Sequence, residues 1–443
     1  MAHTALSPLD AAWYHMDGPA NTAIVTGLLL THQPLDPGKL RALLKRRLLA
    51  FDRFRQRVVE RGFPLATPHW EDVPDLDIDA HMHRVALPAP HDEAALRELA
   101  SELAAQPLDP TRPLWTVHLV ERVGRGSAMI LRYHHCIGDG TAMMTVAAGL
   151  FQLPSPPPPP TARRRGAAAP PAPGLTDSLG LVLKGTASLV TELLKWPDPR
   201  SPFKGDFGLS KRVAWSAPVA IAEVKAVAAP SGAKVNDVLV AAVSGALRDY
   251  LRRRGVDVDH TSLRAMVPLD LRPPARYGAL GNEFGLVILD LPVAESSARR
   301  RLASTQAAMD AIKRSPQALA MRLLLDIFGR GPKTLEDLAC QVFGSKTSLV
   351  LTNVMGPREP VRLAGATVER MMFCVPHPGE QLGMGISILS YDGQATLTVV
   401  ADARLVPDPE TITRRFNLEF AALRRRAAAA SLDVSQRSRT RPS

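Results

Sequence analysis

The segment HHCIGDG, residues 134–140, lies where a predicted strand passes directly into a predicted helix. Residues 114–121 alternate between polar and apolar side chains, and residues 127–133 form a second apolar run after a Gly-Arg-Gly turn. This pattern predicts a β-hairpin whose second strand leads into the two histidines. Because no helix breaker occurs in residues 141–148, a helix is predicted to begin near Asp139. Rigid elements are therefore expected to hold the segment beside a cleft.

The residue types of this segment suit proton transfer. A histidine such as His134 or His135 exchanges a proton near neutral pH, and the Asp139 carboxylate can orient a ring nitrogen. Gly140 has no Cβ, so backbone or substrate can approach it closely. The alternative is a histidine pair that bonds local carbonyl groups, with Asp139 as an ordinary helix N-cap. Cys136 is a less favoured candidate nucleophile, since the histidines and the Asp-Gly pair explain the pattern without it.

The composition excludes some functions. The chain has 443 residues, of which 46% are hydrophobic and 22% charged, as expected for a soluble protein with more than one globular domain. Aromatic residues make up only 5%, and no nucleic-acid motif accompanies the net charge of +11, so nucleic-acid binding is not expected. Arginine clusters at 163–165 and 424–426 favour instead an anionic membrane surface or a phosphorylated cofactor.

The cysteines and the N-terminus indicate the compartment. Three widely spaced cysteines form neither a disulfide framework nor a metal-ligand pattern, so no metal site is expected and a reducing cytosol fits best. The first residues lack the basic and apolar regions of a signal peptide, and no apolar stretch reaches about 18 residues. A cytoplasmic protein without a membrane-spanning helix is therefore expected.

The chain divides at a proline-rich segment. Residues 154–174 are rich in Pro, Ala and Arg, which predicts an extended linker. Residues 175–196 place leucines and valines at helical spacing, which predicts an amphipathic helix that either packs on the protein or lies on a lipid surface. The predicted division is an N-terminal domain (1–153), the linker with this helix (154–200), a C-terminal domain (201–430) and a disordered basic tail (431–443). The two domains are expected to be α/β units of similar size.

Periodicity and turn residues predict the other elements. Helices are expected at 36–49, 91–105 and 234–254, and strands at 24–30, 263–268, 284–291, 348–354, 384–390 and 394–401. Asn236 and Asp237 open the third helix, where an Asn N-cap and an acid in the first turn are sufficient to explain them. Thr352 and Asn353 end a strand before a Gly-Pro turn, where their side chains either face a substrate tunnel or close the sheet.

Taken together, several segments resemble the bacterial wax ester synthase/acyl-CoA:diacylglycerol acyltransferase family. The segments that carry the match are LSPLD (6–10), residues 107–115 ending in Pro-Leu-Trp, HHCIGDG (134–140), VNDVL (235–239), VP (267–268) with Arg272, GN (281–282), TNV (352–354) with GP (356–357), and SYDG (390–393). They extend over nearly the whole chain except the linker and the basic tail. The histidine segment alone is shared with chloramphenicol acetyltransferases and peptide-synthetase condensation domains.

The resemblance implies a two-domain, mixed α/β fold like that of chloramphenicol acetyltransferase, with a tunnel between the domains. It implies an O-acyltransferase that has no bound cofactor and uses acyl-CoA as co-substrate, with diacylglycerol or a long-chain alcohol as acceptor. His135 is then the general base, His134 and Asp139 support it, and the Asn236-Asp237 pair gains weight as part of the site. Peripheral contact with a membrane or a lipid droplet is also expected.

Two alternatives and two departures from the family pattern accompany this interpretation. A condensation-type acyltransferase takes its acyl group from a carrier protein, and a non-catalytic lipid-binding protein uses the amphipathic helix and the arginines to hold a surface. Gly138 stands where the family usually has a small aliphatic residue, and LDL (269–271) replaces a more frequent Val-Ser/Asn pattern. These departures concern acceptor choice and loop geometry more than the reaction.

Overall fold

The computed structural model describes residues 4–60, 67–152, 197–199, 201–315, 317, 320–322, 341, 344–377 and 382–439. The predicted linker (154–174) and the predicted amphipathic helix (175–196) lie outside the described residues, as does Cys340.

The helices begin where the sequence supplies side-chain caps. In chain order the described α-helices are α1 (Pro8–His15), α2 (Pro37–Leu43), α3 (Glu93–Ala105), α4 (Gly140–Leu150), α5 (Ile221–Ala228), α6 (Val235–Arg253), α7 (Ala298–Arg314) and α8 (Pro409–Arg439). The first four are capped by Ser7, Asp36, Asp92 and Asp139, whose side-chain oxygens each accept a backbone N–H of the first turn. A π-helical turn, Leu44–Leu48, continues α2, so the predicted helix at 36–49 is present in two forms.

The strands of the described residues form three sheets. They are β1 (Thr4–Ala5), β2 (Ile24–Thr31), β3 (Gln56–Val59), β4 (His69–Asp72), β5 (Met82–Val85), β6 (Trp115–Val123), β7 (Gly126–His134), β8 (Lys211–Trp215), β9 (Val219–Ala220), β10 (Leu263–Asp270), β11 (Phe284–Leu291), β12 (Leu349–Met355), β13 (Arg362–Leu363), β14 (Ala366–Cys374), β15 (Met384–Tyr391) and β16 (Gln394–Asp402). The smallest sheet has the order β1-β4-β3.

The first large sheet carries the histidine segment. Its order is β13-β14-β2-β7-β6-β5, and β7 is paired on both edges. Strand β7 is apolar over most of its length because both of its faces are buried. The predicted hairpin of β6 and β7 is confirmed, and Gly124 in its turn has φ +59, a left-handed conformation that glycine adopts without strain.

The second large sheet is formed by strands of the second half of the chain. Its order is β11-β10-β12-β15-β16-β8, with β9 added beside β16. Strand β12 runs parallel to both of its neighbours, so its carboxyl end lies at the same edge as those of β10 and β15. Helices α5, α6, α7 and α8 bury their apolar side chains with this sheet in one large hydrophobic cluster.

One strand crosses the predicted domain division. By position in the chain β14 belongs to the predicted C-terminal domain (201–430), yet it pairs antiparallel with β2 in the first large sheet, with Phe373 opposite Gly27. The hydrogen-bonding edge of β2 is therefore satisfied by a strand from the second half. The two halves are interlocked.

The C-terminal tail also differs from the prediction. Helix α8 continues to Arg439, so residues 431–439 are helical rather than disordered. The reason is the absence of Gly and Pro between Pro409 and Arg439 together with a run of alanines, the residue with the highest helix propensity.

Within the described residues, no single helix is long and apolar enough to cross a membrane, whereas the bent pair Ile221–Ser231 and Val235–Arg253 meets that requirement when its two parts are taken together.

Candidate active site

The histidine segment lies at a strand-to-helix junction, as predicted. Strand β7 ends at His134, a 3₁₀ turn spans His135–Ile137, and α4 begins at Gly140. The backbone N–H of His135 donates to the carbonyl of Ala23 over 2.8 Å, which ties the turn to the residue before β2. The backbone on both sides of His135 is thus held by regular structure.

The ring of His135 is enclosed but reaches a cavity. Only 8% of the residue is exposed, and it lines a cavity of about 280 Å³. Trp13 stacks on the imidazole with ring centroids 3.9 Å apart and planes 12° apart, and Phe284 meets the ring edge-on at 5.9 Å. Burial lowers the pKa of His135 to about 4, and the negative charge of Asp139 opposes this shift. The imidazole is therefore neutral at pH 7 and able to accept a proton.

His134 and Cys136 shape the turn. His134 Nδ1 accepts the backbone N–H of Cys136 at 3.2 Å, so the proton of the neutral ring is carried by Nε2. Burial lowers the pKa of His134 to about 3. Burial also raises the pKa of the Cys136 thiol well above its usual value, which keeps this candidate nucleophile protonated. Neither residue belongs to the cavity wall.

Asp139 joins the two halves of the chain. Its Oδ1 caps α4 by accepting the N–H of Ala142 at 2.9 Å. Its Oδ2 accepts hydrogen bonds from Nη2 of Arg272 at 2.8 Å and from the backbone N–H of Glu283 at 2.9 Å. The Arg272 side chain is fully buried. Three donors therefore hold the carboxylate. This geometry suits a carboxylate that fixes the turn and the charge beside His135, not one that transfers protons.

Two glycines allow close approach of the second half. Gly138 forms a bridge with Gly281, and a Cβ at position 138 would lie 2.9 Å from Cβ of Ala142. A Cβ on Gly140 would lie 3.0 Å from Cγ2 of Val354 in β12. Gly140 thus leaves room for the side chain of Val354, whereas close backbone approach is found at Gly138.

The cavity has a mostly apolar wall that includes a few polar residues, which together are called the polar rim. Its walls come from both halves and include Val25, Leu29, Met129, Leu131, Met143, Val146, Met266, Leu286, Val350, Met371, Phe373 and Leu389. The polar rim consists of His135, Asp139, Thr141, Asp270, Thr352 and Asn353, and Trp13 and Tyr133 also line the cavity. Thr141 Oγ1 donates to Asp270 Oδ2 over 3.2 Å, so the rim includes one of the departures from the family pattern.

The second predicted cluster meets at the start of α6 and the end of β12. Thr352 and Asn353 line the cavity, and Nδ2 of Asn353 donates to Oδ1 of Asn236 over 2.9 Å. The interpretation of Asn236 as an N-cap is wrong, because α6 begins at Val235 and its N-cap residue is Lys234. The backbone N–H of Lys234 donates to Oδ2 of Asp237. Asn236 therefore connects to the cavity through Asn353, whereas Asp237 bonds the backbone at the start of α6.

Residues outside the predicted site complete it. Trp13 stacks on His135, Arg272 pairs with Asp139, and Asn282 Nδ2 donates to the carbonyl of His135 over 2.8 Å. Asp10 accepts two hydrogen bonds from Asn282. Asp10, Arg272 and Asn282 lie in segments that carry the family resemblance, but the sequence assigned them no chemical role. Within the described residues, no group of His, Cys, Asp or Glu side chains is arranged to hold a metal ion.

Comparison with known proteins identifies the family. The model of the wax ester synthase/diacylglycerol acyltransferase catalytic domain matches residues 6–196, and that of the C-terminal domain of the same family matches residues 280–424. The chain belongs to the wax ester synthase/diacylglycerol acyltransferase family. It is an acyltransferase, as the resemblance implied.

Relatives and solved structures agree with this assignment. A probable diacylglycerol O-acyltransferase of Mycobacterium tuberculosis is 29% identical over 394 residues, which are 84% of this chain and 84% of the relative. A second putative diacylglycerol O-acyltransferase of the same organism is 28% identical over 439 residues, covering 91% of this chain and 86% of the relative.

Among solved structures, the wax ester synthase/diacylglycerol acyltransferase from Marinobacter aquaeolei VT8 has a TM-score of 0.71 at 23% identity, covering 96% of this chain and 100% of that one. The first condensation domain of the calcium-dependent antibiotic synthetase has a TM-score of 0.62 at 18% identity, with 96% of each chain covered. The predicted two-domain α/β fold of this acyltransferase is thereby confirmed.

Proposed function

We propose that this acyltransferase moves a long-chain acyl group from acyl-CoA to the hydroxyl of diacylglycerol, of a long-chain alcohol, or of both. The observation that carries the proposal is the neutral imidazole of His135 on the wall of an otherwise apolar cavity built by both halves. An apolar wall accepts acyl chains, and a neutral histidine is the base that an alcohol acceptor needs.

The proposed reaction uses His135 in both proton transfers. The imidazole takes the proton of the acceptor hydroxyl while the hydroxyl oxygen attacks the thioester carbonyl carbon. The new C–O bond forms, the C–S bond breaks, and the imidazolium returns its proton to the departing CoA thiolate. No covalent acyl-enzyme is required when the cavity holds both substrates together.

The remaining candidate residues have supporting roles in this proposal. His134 shapes the turn and Asp139 holds it to the second half through Arg272. Gly140 permits the close packing of β12 that brings Thr352 and Asn353 to the cavity. Asn236 holds Asn353 from the start of α6, and Asp237 caps that helix start by accepting the backbone N–H of Lys234.

The names of similar proteins support the two acceptor classes. The mycobacterial relatives are named diacylglycerol O-acyltransferases, and the Marinobacter protein of like fold is named for both activities. The polar rim with Thr141, Asp270, Thr352 and Asn353 suits an acceptor that carries oxygen atoms beside its reacting hydroxyl. This favours diacylglycerol over a simple alcohol.

We also propose that the enzyme is cytoplasmic and contacts a lipid surface peripherally. Met355 follows the cavity residues Asn353 and Val354 and is 77% exposed, and Tyr277 is 54% exposed. An exposed apolar side chain next to the cavity can enter a lipid surface from which the acceptor is drawn. Flotation of the purified protein with diacylglycerol-containing vesicles should fall when Met355 is changed to Ser, and equal flotation of both proteins would contradict this part.

A donor-by-acceptor assay tests the reaction. Purified protein is given palmitoyl-CoA with diacylglycerol or hexadecanol, and thiol release and ester formation are followed together. Ester should form with the wild type and fall to background with His135→Ala, whose fold is checked by circular dichroism. A carrier-bound acyl donor run in parallel decides the alternative: preference for that donor, or lipid binding with no turnover from any donor, would overturn the acyl-CoA proposal.

A further inference from the structure

Asn282 lies between the first helix and the candidate base. Its backbone N–H and its side-chain Nδ2 both donate to Oδ1 of Asp10, over 3.0 and 2.8 Å. The same Nδ2 donates to the backbone carbonyl of His135 over 2.8 Å. Asp10 and Asn282 are 1% and 3% exposed. A residue from the second half thus bridges α1 and the catalytic turn in a fully buried position.

This environment fixes which way the amide of Asn282 points. Its nitrogen faces two acceptors, the Asp10 carboxylate and the His135 carbonyl. Exchange of the amide nitrogen and oxygen would bring the oxygen against both acceptors, which is repulsive. Nη2 of Arg53 stands 3.6 Å from Oδ2 of Asp10, and its guanidinium lies over the ring of Trp70, so a partly buried cation supports the carboxylate. Asp10 thereby sets the orientation of Oδ1 of Asn282.

Two buried polar atoms, one on each of the residues joined by the 2.8 Å bond from Asn282 to the carbonyl of His135, are left without a hydrogen bond. Nδ1 of His135 and Oδ1 of Asn282 are both inaccessible to solvent, and neither has a hydrogen bond among the described residues. The first is a donor in one tautomer of the neutral ring, and the second is an acceptor only. Buried polar atoms are rarely left unpaired, so a small adjustment that joins them satisfies both. Burial lowers the pKa of His135, and the Asp139 charge, the backbone carbonyl of His135 and the Asn282 side chain oppose this shift, in decreasing order.

We propose that Asn282 is a positioning residue that selects the tautomer of His135. Its Oδ1 accepts the proton on Nδ1, which leaves Nε2 unprotonated and available as the base, and Asp10 holds the amide in the required orientation. The catalytic role of His135 rests on the proposed function, whereas the tautomer is a property of the resting protein. The other histidine of the pair is held in the opposite tautomer, since its Nδ1 accepts a backbone N–H.

The test reads the tautomer directly and needs no substrate. Protein with ¹⁵N-labelled histidine is examined by long-range ¹⁵N–¹H correlation spectroscopy near pH 7, and the His135 signals are assigned by their loss in His135→Ala. We expect a protonated Nδ1 and an unprotonated Nε2 in the wild type. A wild-type ring protonated at Nε2 would overturn the proposal whether or not the enzyme is active.

Variants add the functional readout. Asn282→Ala should give a mixture of tautomers and lower kcat by at least about tenfold, with KM for acyl-CoA changed by less than about twofold. Thr26→Val is the matched control, because Oγ1 of Thr26 is also buried without a partner but its residue does not line the cavity; this change should leave both readouts unaltered. If His135 keeps its wild-type tautomer and kcat in folded Asn282→Ala, another acceptor such as its own carbonyl holds the ring.

Discussion

Trp13 and His135 stack with their ring centroids 3.9 Å apart, although 122 positions separate them in the chain and only the packing of α1 against the histidine turn brings them together. The indole covers one face of the imidazole and removes it from solvent, which contributes to the low pKa of the histidine. A large aromatic ring is therefore part of the candidate active site.

Replacing the indole of Trp13 should separate its effect on kcat from its effect on the free energy of unfolding. Trp13→Phe keeps a ring in contact and should keep most of kcat. Trp13→Ala removes the stacking, worth roughly 0.5–1.5 kcal/mol, so kcat should fall by about two- to tenfold. It also empties a buried site, which should lower the free energy of unfolding by roughly 3–5 kcal/mol. Steady-state kinetics and urea unfolding measure the two effects, and equal kcat for both variants would contradict the role of stacking.

The ion pair of Asp139 and Arg272 should couple the stability of the two halves. Asp139→Asn keeps the N-cap oxygen but leaves the buried guanidinium without its counter-charge, so the free energy of unfolding should fall by roughly 3–5 kcal/mol. Arg272→Met combined with Asp139→Asn should cost clearly less than the sum of the single changes, because the double variant buries no isolated charge. Additive effects in a double-mutant cycle measured by urea unfolding would contradict this coupling.

Gly138 should resist even a methyl group. Its added Cβ would lie 2.9 Å from Cβ of Ala142, an atom fixed to the backbone of α4, so Gly138→Ala should lower stability by roughly 1–3 kcal/mol. The compensating change is Ala142→Gly, which removes the opposing atom. We expect Gly138→Ala with Ala142→Gly to recover part of the lost melting temperature beyond the helix cost of the new glycine. No recovery would mean that the contact with Gly281 decides the fit.

The pH dependence of kcat/KM should reflect the burial of His135. Because burial lowers its pKa to about 4, the neutral base persists well below the ordinary histidine value of about 6.5. The acid limb of kcat/KM should therefore lie below pH 6 and extend toward 4, with activity flat from there to neutral pH. Rates are measured with a single acyl-CoA under conditions where the fold is intact. An acid limb centred near 6.5 would mean that the free enzyme exposes the ring.

Buried histidines should make the fold less stable in acid. Burial lowers the pKa of His377 to about 3, below the unfolded value of about 6.5, so the unfolded chain binds this proton first as the pH falls. The histidine therefore subtracts up to about 1.4 kcal/mol per pH unit below about 6.5, until the pH reaches the folded value. His377→Gln should show a shallower loss of unfolding free energy between pH 6.5 and 4 than the wild type. Parallel curves for the two proteins would refute this contribution.

Local patterns in the sequence predicted much of the fold. The strand at 284–291 is found with the predicted bounds, and the hairpin, the helix after Asp139 and the helix at 234–254 agree within a few residues. Each depends on periodicity and caps that act within one element. Strand β14 and the long helix α8 were missed as elements, and the partner of β14 is chosen by an edge that lies far away in the chain.

The candidate site was predicted less completely than the fold. The histidine segment predicted the candidate base and the turn that carries it, because both lie within seven residues of chain. The groups that hold them, Trp13, Arg272 and Asn282, come from distant segments and reach His135 or Asp139 only through tertiary packing. No spacing in the sequence encodes such contacts. Asn236 shows the opposite error, since a local cap rule explained a side chain that instead bonds Asn353.

The exchange of β14 into the first sheet restricts how the enzyme can be divided and how it can move. An isolated N-terminal fragment would leave one edge of the eight-residue β2 unpaired, and an unpaired edge can bind strands of other chains and cause aggregation. The two halves also cannot separate by a hinge motion without breaking the backbone hydrogen bonds between β14 and β2. We therefore expect substrates to enter and product to leave without separation of the two halves. The rates of substrate entry and product release should then depend on the width of the openings to the cavity.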